Sequence, residues 1–343
     1  DGGGPAGGNV ETIASDAVNS NIVYAGTSGG GVFKSSNGGT SWIPLNSGLI
    51  GWDLFVRSLS IHPTNSATIY AGTFNGVFKS TDGGSTWNGA NSGLTNRDVV
   101  AVVIDPSNPT RLYAGTKNGG VFKSPDGGLS WAPVNNGLSN LFIWTLAIDP
   151  ANPSTLYAGT ILGPGGVFKT IDGGQTWSVA SLGITSRDVR GLAIDPSHTS
   201  TIYAATCSDG VFKTTDGGAD WTPINSGLSG GCFQEVAINP SQPTTIYVGA
   251  PFEGAFRTAD GGASWVAVSG GLTARRIEAL AIDPSNPSTV YAGAFDTGIF
   301  KSTNGGSSWN ATITGLTALN IDALAISTGA ASVVYAGTFG SGV

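Results

Sequence analysis

Short runs of apolar and β-branched residues alternate along the whole chain with turns rich in Gly, Asn, Asp and Pro. One unit shows the pattern. EALAI (278–282) is a short apolar strand, A, closed by the turn DPSNPS. TVYAGA (289–294) is strand B, with the β-branched and aromatic content that suits a strand. GIFKST (298–303) is strand C, and the Asn-Gly-Gly that follows supplies the positive φ of a tight turn. SSWNATI (307–313) is strand D. Proline falls only in turns or at strand ends, where its missing N–H costs little.

The strand C to D turn recurs as SSNGGTSW (35–42), STDGGSTW (80–87), SPDGGLSW (124–131), TIDGGQTW (170–177), TTDGGADW (214–221), TADGGASW (258–265) and STNGGSSW (302–309). Its tryptophans stand at 42, 87, 131, 177, 221, 265 and 309, so the period is 44 to 46 residues. A period of this length made of short strands predicts an all-β fold, a β-propeller of four-stranded antiparallel blades, with 1–343 as a single domain. The turn's Asp is expected to bond the turn's own amides, and the Trp to fill space between strands. Asn37 and Asn304 replace Asp in two of the turns, keeping the turn and losing the charge, so the motif is structural and no metal site is assigned.

The motif S/T-x-D-G-G-x-x-W is similar to the Asp-box, or BNR, repeat of sialidases, sortilin-type receptors, xyloglucan-degrading hydrolases and photosystem II assembly factors. The resemblance covers nearly the whole chain. It implies the propeller fold and leaves function open, because these families share the turn and little else. Sialidase resemblance implies a Tyr/Glu pair and an arginine triad, yet all eight tyrosines (24, 70, 113, 157, 203, 247, 291 and 335) are in the strand B register. Xyloglucan hydrolases carry an Asp after that tyrosine in a T-D-x-G-G pattern. TSGGG, TFNG, TKNGG, TILGPGG, TCSDG, APFEG and AFDTG do not reproduce it.

Eight tyrosines against seven Asp boxes predict an eight-bladed ring whose last blade is incomplete at the C-terminus and is finished by residues 2–8, which would remove an exposed sheet edge. Seven blades, or part of a longer array, are the alternatives.

Composition narrows the partners. The formal net charge of −7 opposes nucleic-acid binding. No apolar run reaches membrane-spanning length. The chain lacks methionine, which fits a processed product or a fragment. Cys207 and Cys232 fall in loops of adjacent blades on one rim, so a disulfide is expected, with an extracellular, cell-surface or periplasmic setting. No cofactor is implied. Asn310-Ala-Thr is a glycosylation sequon.

Strand alternation puts A–B turns and Asp boxes on one rim, nearly identical in every blade, and B–C loops with D–A segments on the other. Function belongs where the repeat breaks. His62 and His198 lie at the monotonous A–B turns, which leaves histidine catalysis unsupported. Trp52, Phe55, Phe142, Trp144 and Phe233 lie on the variable rim, where aromatics can stack on sugars, anchor a protein partner or fill wedges between blades. The position two before the repeated apolar residue of strand A runs Glu11, Arg57, Val100, Trp144, Arg190, Gln234, Glu278 and Asp322, and these residues should encircle the channel mouth. The leading expectation is a non-catalytic propeller that binds a glycan or a protein through Trp52, Phe55, Arg57, Phe142, Trp144, Arg190, Glu278 and Asp322. The alternatives are a glycoside hydrolase using Glu278 and Asp322, and a structural part of a larger surface assembly.

Overall fold

A computed structural model describes residues 8–16, 19, 21–36, 42–250, 253–268, 270–272, 276–283, 286–294, 297–312, 321–326 and 334–338. Seven sheets of four antiparallel strands follow one another, spanning 8–44, 56–89, 99–133, 143–179, 189–223, 235–267 and 277–311. In each, strand A pairs with B, B with C and C with D. This corrects the expected eight blades. The last two strands, Ile321–Ile326 and Val334–Thr338, form a two-stranded sheet packed between the A strands of the seventh and first blades. Counting tyrosines weighs only the A–B hairpin. A blade also needs strands C and D, which the eighth unit does not supply among the described residues. The closure expected of residues 2–8 lies outside the described residues except for Gly8, which pairs with Gly29 at the start of the first blade's strand A.

Burial follows the radial order. Strand B is buried throughout, as in Ile69–Thr73, whereas the outermost strand D is only two residues long and exposed, as in Asn88–Gly89. Strand A is buried only at intervals: Val56 and Leu59 pack with Tyr24 and Val32 of the preceding blade, while the Ser58 and Ser60 hydroxyls hydrogen-bond the Val102 backbone of the next. The core therefore lies between blades: Tyr70 and Val77 of the second blade pack with Val99, Leu112, Phe122 and Trp131 of the third. Repeating one wedge of apolar side chains around a ring buries them without any helix.

The Asp boxes stitch these seams. Asp82 accepts hydrogen bonds from the Ser80 hydroxyl, the Thr86 amide and the Thr86 hydroxyl, which fixes the turn. Gly83 and Gly84 have φ of 71° and 90°, and a Cβ on Gly84 would press on Leu45 and Tyr24 of the preceding blade. Tyr24 donates its hydroxyl to the Gly83 carbonyl at 3.1 Å, and Lys34 donates its ammonium to the same oxygen. In return, the Trp87 indole donates back to the Leu45 carbonyl at 2.8 Å. Trp131, Trp177, Trp221 and Trp309 make the same backward bond. The box tryptophan is thus a link between blades rather than filler between strands.

Candidate ligand-binding site

Each described strand A outside the sixth blade carries a register shift against strand B, between Val10 and Thr12, Val56 and Ser58, Ile143 and Thr145, Val189 and Gly191, Ile277 and Ala279, and Ile321 and Ala323; in the third blade it falls opposite Gly115 and Thr116, at Val100. The residue left over in each bulge is Glu11, Arg57, Val100, Trp144, Arg190, Glu278 or Asp322. A bulge leaves one residue unpaired and re-aims its side chain. The register position singled out in the sequence is therefore a ring of bulged residues.

Four of them, from four successive blades, come together. Glu11, Arg57, Val100 and Trp144 line a cavity of 390 Å³ with Phe74 and Lys117 from the neighbouring B–C loops. Arg57 Nη1 is 2.7 Å from Asp98 Oδ1, and its guanidinium carbon is 3.7 Å from the Phe74 ring centroid. Phe74 stacks on Phe55 at 5.0 Å and on Trp52 at 6.1 Å, with Trp52 and Phe55 5.1 Å apart. Trp52 caps this pile and is 64% exposed. It rides on the short 3-10 helix Gly51–Leu54, pinned because buried Asp53 accepts bonds from the Ile50 amide and the Asn75 side-chain amide. Across the cavity, Trp144 has the Lys117 ammonium 5.4 Å and the Arg190 guanidinium 4.8 Å from its ring, and Arg190 is bound to Asp188.

Burial governs the electrostatics. It raises the Glu11 carboxyl above its usual range, against the pull of Arg57, a Ser28 hydrogen bond and Lys117. It lowers Arg57 against Asp98 and Glu11. It lowers Lys117 too, with Arg57 adding to the effect.

No protein-family model matches the chain, and no characterised protein matches it in sequence. Solved structures do match. The GH74 xyloglucanase from Xanthomonas campestris superposes with a TM-score of 0.67 at 20% identity, over 89% of this chain and 53% of that one. YCF48 bound to D1 peptide gives 0.61 at 12% identity, over 88% and 92%. The extracellular domain of a one-component system from B. thetaiotaomicron gives 0.61 at 15% identity, over 97% and 37%. The chain is a β-propeller. It spans about half the length of the xyloglucanase, and at these identities the likeness carries the fold alone.

Other expected site residues are placed differently on the propeller. Phe233 is fully buried edge-on to Phe256, so it is wedge filling and not rim surface. Phe142 is half-buried and does not line the cavity; its amide is held by Asn140. Glu278 and Asp322 occupy bulge positions in Ile277–Ile282 and Ile321–Ile326, but their side chains lie outside the described residues. Cys207 and Cys232 are joined, tying the fifth blade's B–C loop to the segment entering the sixth. Among the described residues no group of three His, Cys, Asp or Glu could hold a metal, and no helix is long and apolar enough to cross a membrane.

Three contributors were not singled out in the sequence, Phe74, Lys117 and Glu235. Lys117 is the only lysine that starts a B–C loop, which was the available signal. Glu235 lines a channel cavity of 320 Å³ with Glu11, Gln234, Ala279 and Ala323. Its Oε2 accepts the Leu280 amide of the next strand A at 2.9 Å. Burial nevertheless pushes its carboxyl up to about 7. The same register holds Ser58, Ala101, Thr145 and Gly191 elsewhere, so one large acid among small residues was legible but unread.

Proposed function

We propose that residues 1–343 form one non-catalytic binding propeller of the Asp-box type, which seats a glycan or a protein segment at the channel mouth. One observation carries this reading: bulged residues from four successive blades, each different, converge on a single 390 Å³ cavity beside an exposed aromatic pile. Pockets of this size, walled by aromatics with a few convergent polar groups, are the usual form of a ligand site. The proposed setting is extracellular, cell-surface or periplasmic; the Cys207–Cys232 bridge suits an oxidising compartment. A peptide-bound neighbour and a polysaccharide-cleaving one support the idea that this fold can present a rim to a polymer.

The test is to probe glycan and peptide arrays with the intact chain and with a Trp52→Ala/Trp144→Ala variant of unchanged thermal midpoint. Hits that vanish in the variant support the reading, and hits that persist overturn it. Reducing-end release from a bound polysaccharide, assayed in parallel, is expected to be absent; its appearance would replace binding by hydrolysis.

A further inference from the structure

The cavity's polar groups form a balanced set. Of the charges lining it, Arg57 is already matched by Asp98 at 2.7 Å. That leaves Lys117 and Glu11 with opposite signs and no excess charge between them. Lys117 makes no ion pair among the described residues. Arg190, beyond Trp144, is likewise matched by Asp188 at 2.9 Å. An anionic ligand would gain Lys117 but would have to approach Glu11, and the arginines would offer it little uncompensated charge. A hydroxyl-bearing ligand meets no such conflict. A hydroxyl accepts from an ammonium or guanidinium and donates to a carboxylate, and both kinds of partner line the same wall.

The apolar surface beside this wall is aromatic. Trp52 and Phe74 are nearly parallel, 14° apart, and Arg57 lies over Phe74. Asp53 fixes the turn that carries Trp52, and Phe55 and Phe74 pack on the indole, which lowers the cost of ordering it on binding. A pyranose offers an apolar C–H face to such a ring and hydroxyls at its edge. From this juxtaposition we infer that the ligand is a neutral polysaccharide, with one sugar stacked on Trp52 and an adjoining sugar held in the cavity by Lys117, Arg57 and Glu11. The inference rests on the binding reading above and narrows it to one ligand class.

The experiment is native-gel migration of the intact chain through hydroxyethylcellulose, galactomannan or polygalacturonate, with tryptophan fluorescence titration of whichever retards it. Retardation by a neutral polymer is expected, weakened about tenfold by Trp52→Ala, the size of one aromatic stacking contact. Lys117→Ala should also weaken it, with the thermal midpoint of both variants unchanged. Retardation by polygalacturonate alone would overturn the neutral class and leave the binding reading standing. So would an array peptide whose binding is lost in the Trp52→Ala/Trp144→Ala variant, with no polysaccharide bound. Retardation by a neutral polymer that both single variants retain in full would move the site elsewhere. Failure of every polysaccharide and every peptide would remove both readings together.

Discussion

Arg57 makes two contacts at once, with Phe74 and with Asp98: its guanidinium carbon is 3.7 Å from the Phe74 centroid while Nη1 is 2.7 Å from the Asp98 carboxylate. The aromatic pile and the cavity wall therefore share one residue. A double-mutant cycle of Arg57→Ala with Phe74→Ala, read by urea unfolding, should return a coupling of roughly 0.5–1 kcal/mol. A coupling of zero would mean the two side chains do not support one another.

Glu235 should make stability fall as pH rises. Its folded pKa is about 7, above the ordinary glutamate value of 4.5, because burial penalises the charged form, so the folded state holds the proton more tightly than the unfolded chain. Its contribution is complete below about 4.5 and is lost as pH rises through about 7. The thermal midpoint should drop between pH 5 and pH 8, and Glu235→Gln should flatten that drop. Equal slopes in both proteins would show that this acid titrates normally.

The Asp boxes act at the opposite end. Hydrogen bonds from their own turns hold Asp82, Asp126 and Asp172 at about 2, below the ordinary aspartate value of 3.8. Stability from these groups is present above 3.8 and disappears as pH falls toward 2. Thermal scans from pH 5 to pH 2 should show the loss, with Asp172→Asn less sensitive than the parent.

Among the boxes that carry aspartate, one departs from the others. Thr86, Ser130, Thr176 and Ser264 each donate a hydroxyl to their box aspartate. Asp220 stands at this position in the fifth blade, where it gives Asp216 its amide but has no hydroxyl to offer. Asp220→Thr should restore the missing bond, remove a like charge and raise the melting temperature. A lower melting temperature would mean that Asp220 has a role of its own.

The Cys207–Cys232 bridge closes a segment with a sequence separation of 25. Cys207→Ser with Cys232→Ser should lower unfolding free energy by about 3 kcal/mol in urea titration, as expected for a loop of this length. An unchanged midpoint would mean the two loops are held by their backbone bonds, such as Ser208 N–H to Gly231.

The fold was legible because a tryptophan every 44 to 46 residues and a tyrosine in every strand B can each be read locally. The blade count was not, since Tyr335 marks a hairpin and cannot by itself report strands C and D. For the site, the register of Glu11, Arg57, Val100 and Trp144 was readable, but its meaning was not. A bulge is a property of pairing between two strands, and only the pairing with strand B revealed it. Phe233 was misplaced for a related reason: an aromatic in a loop reads the same whether it faces water or the next blade. Lys117 and Phe74 reach the cavity through loops whose course is set by the neighbouring segments that bond them, at Asp98 and Phe55.

The paired latches between blades also bear on mechanical strength. Tyr24 reaches forward to Gly83 while Trp87 reaches back to Leu45, and the same exchange recurs at Tyr70 with Trp131 and at Tyr113 with Trp177. No one of these latches stands out as stronger than the rest. A molecule stretched from its two ends would yield one blade at a time, in a sawtooth of nearly equal teeth, each releasing roughly 150 Å of chain.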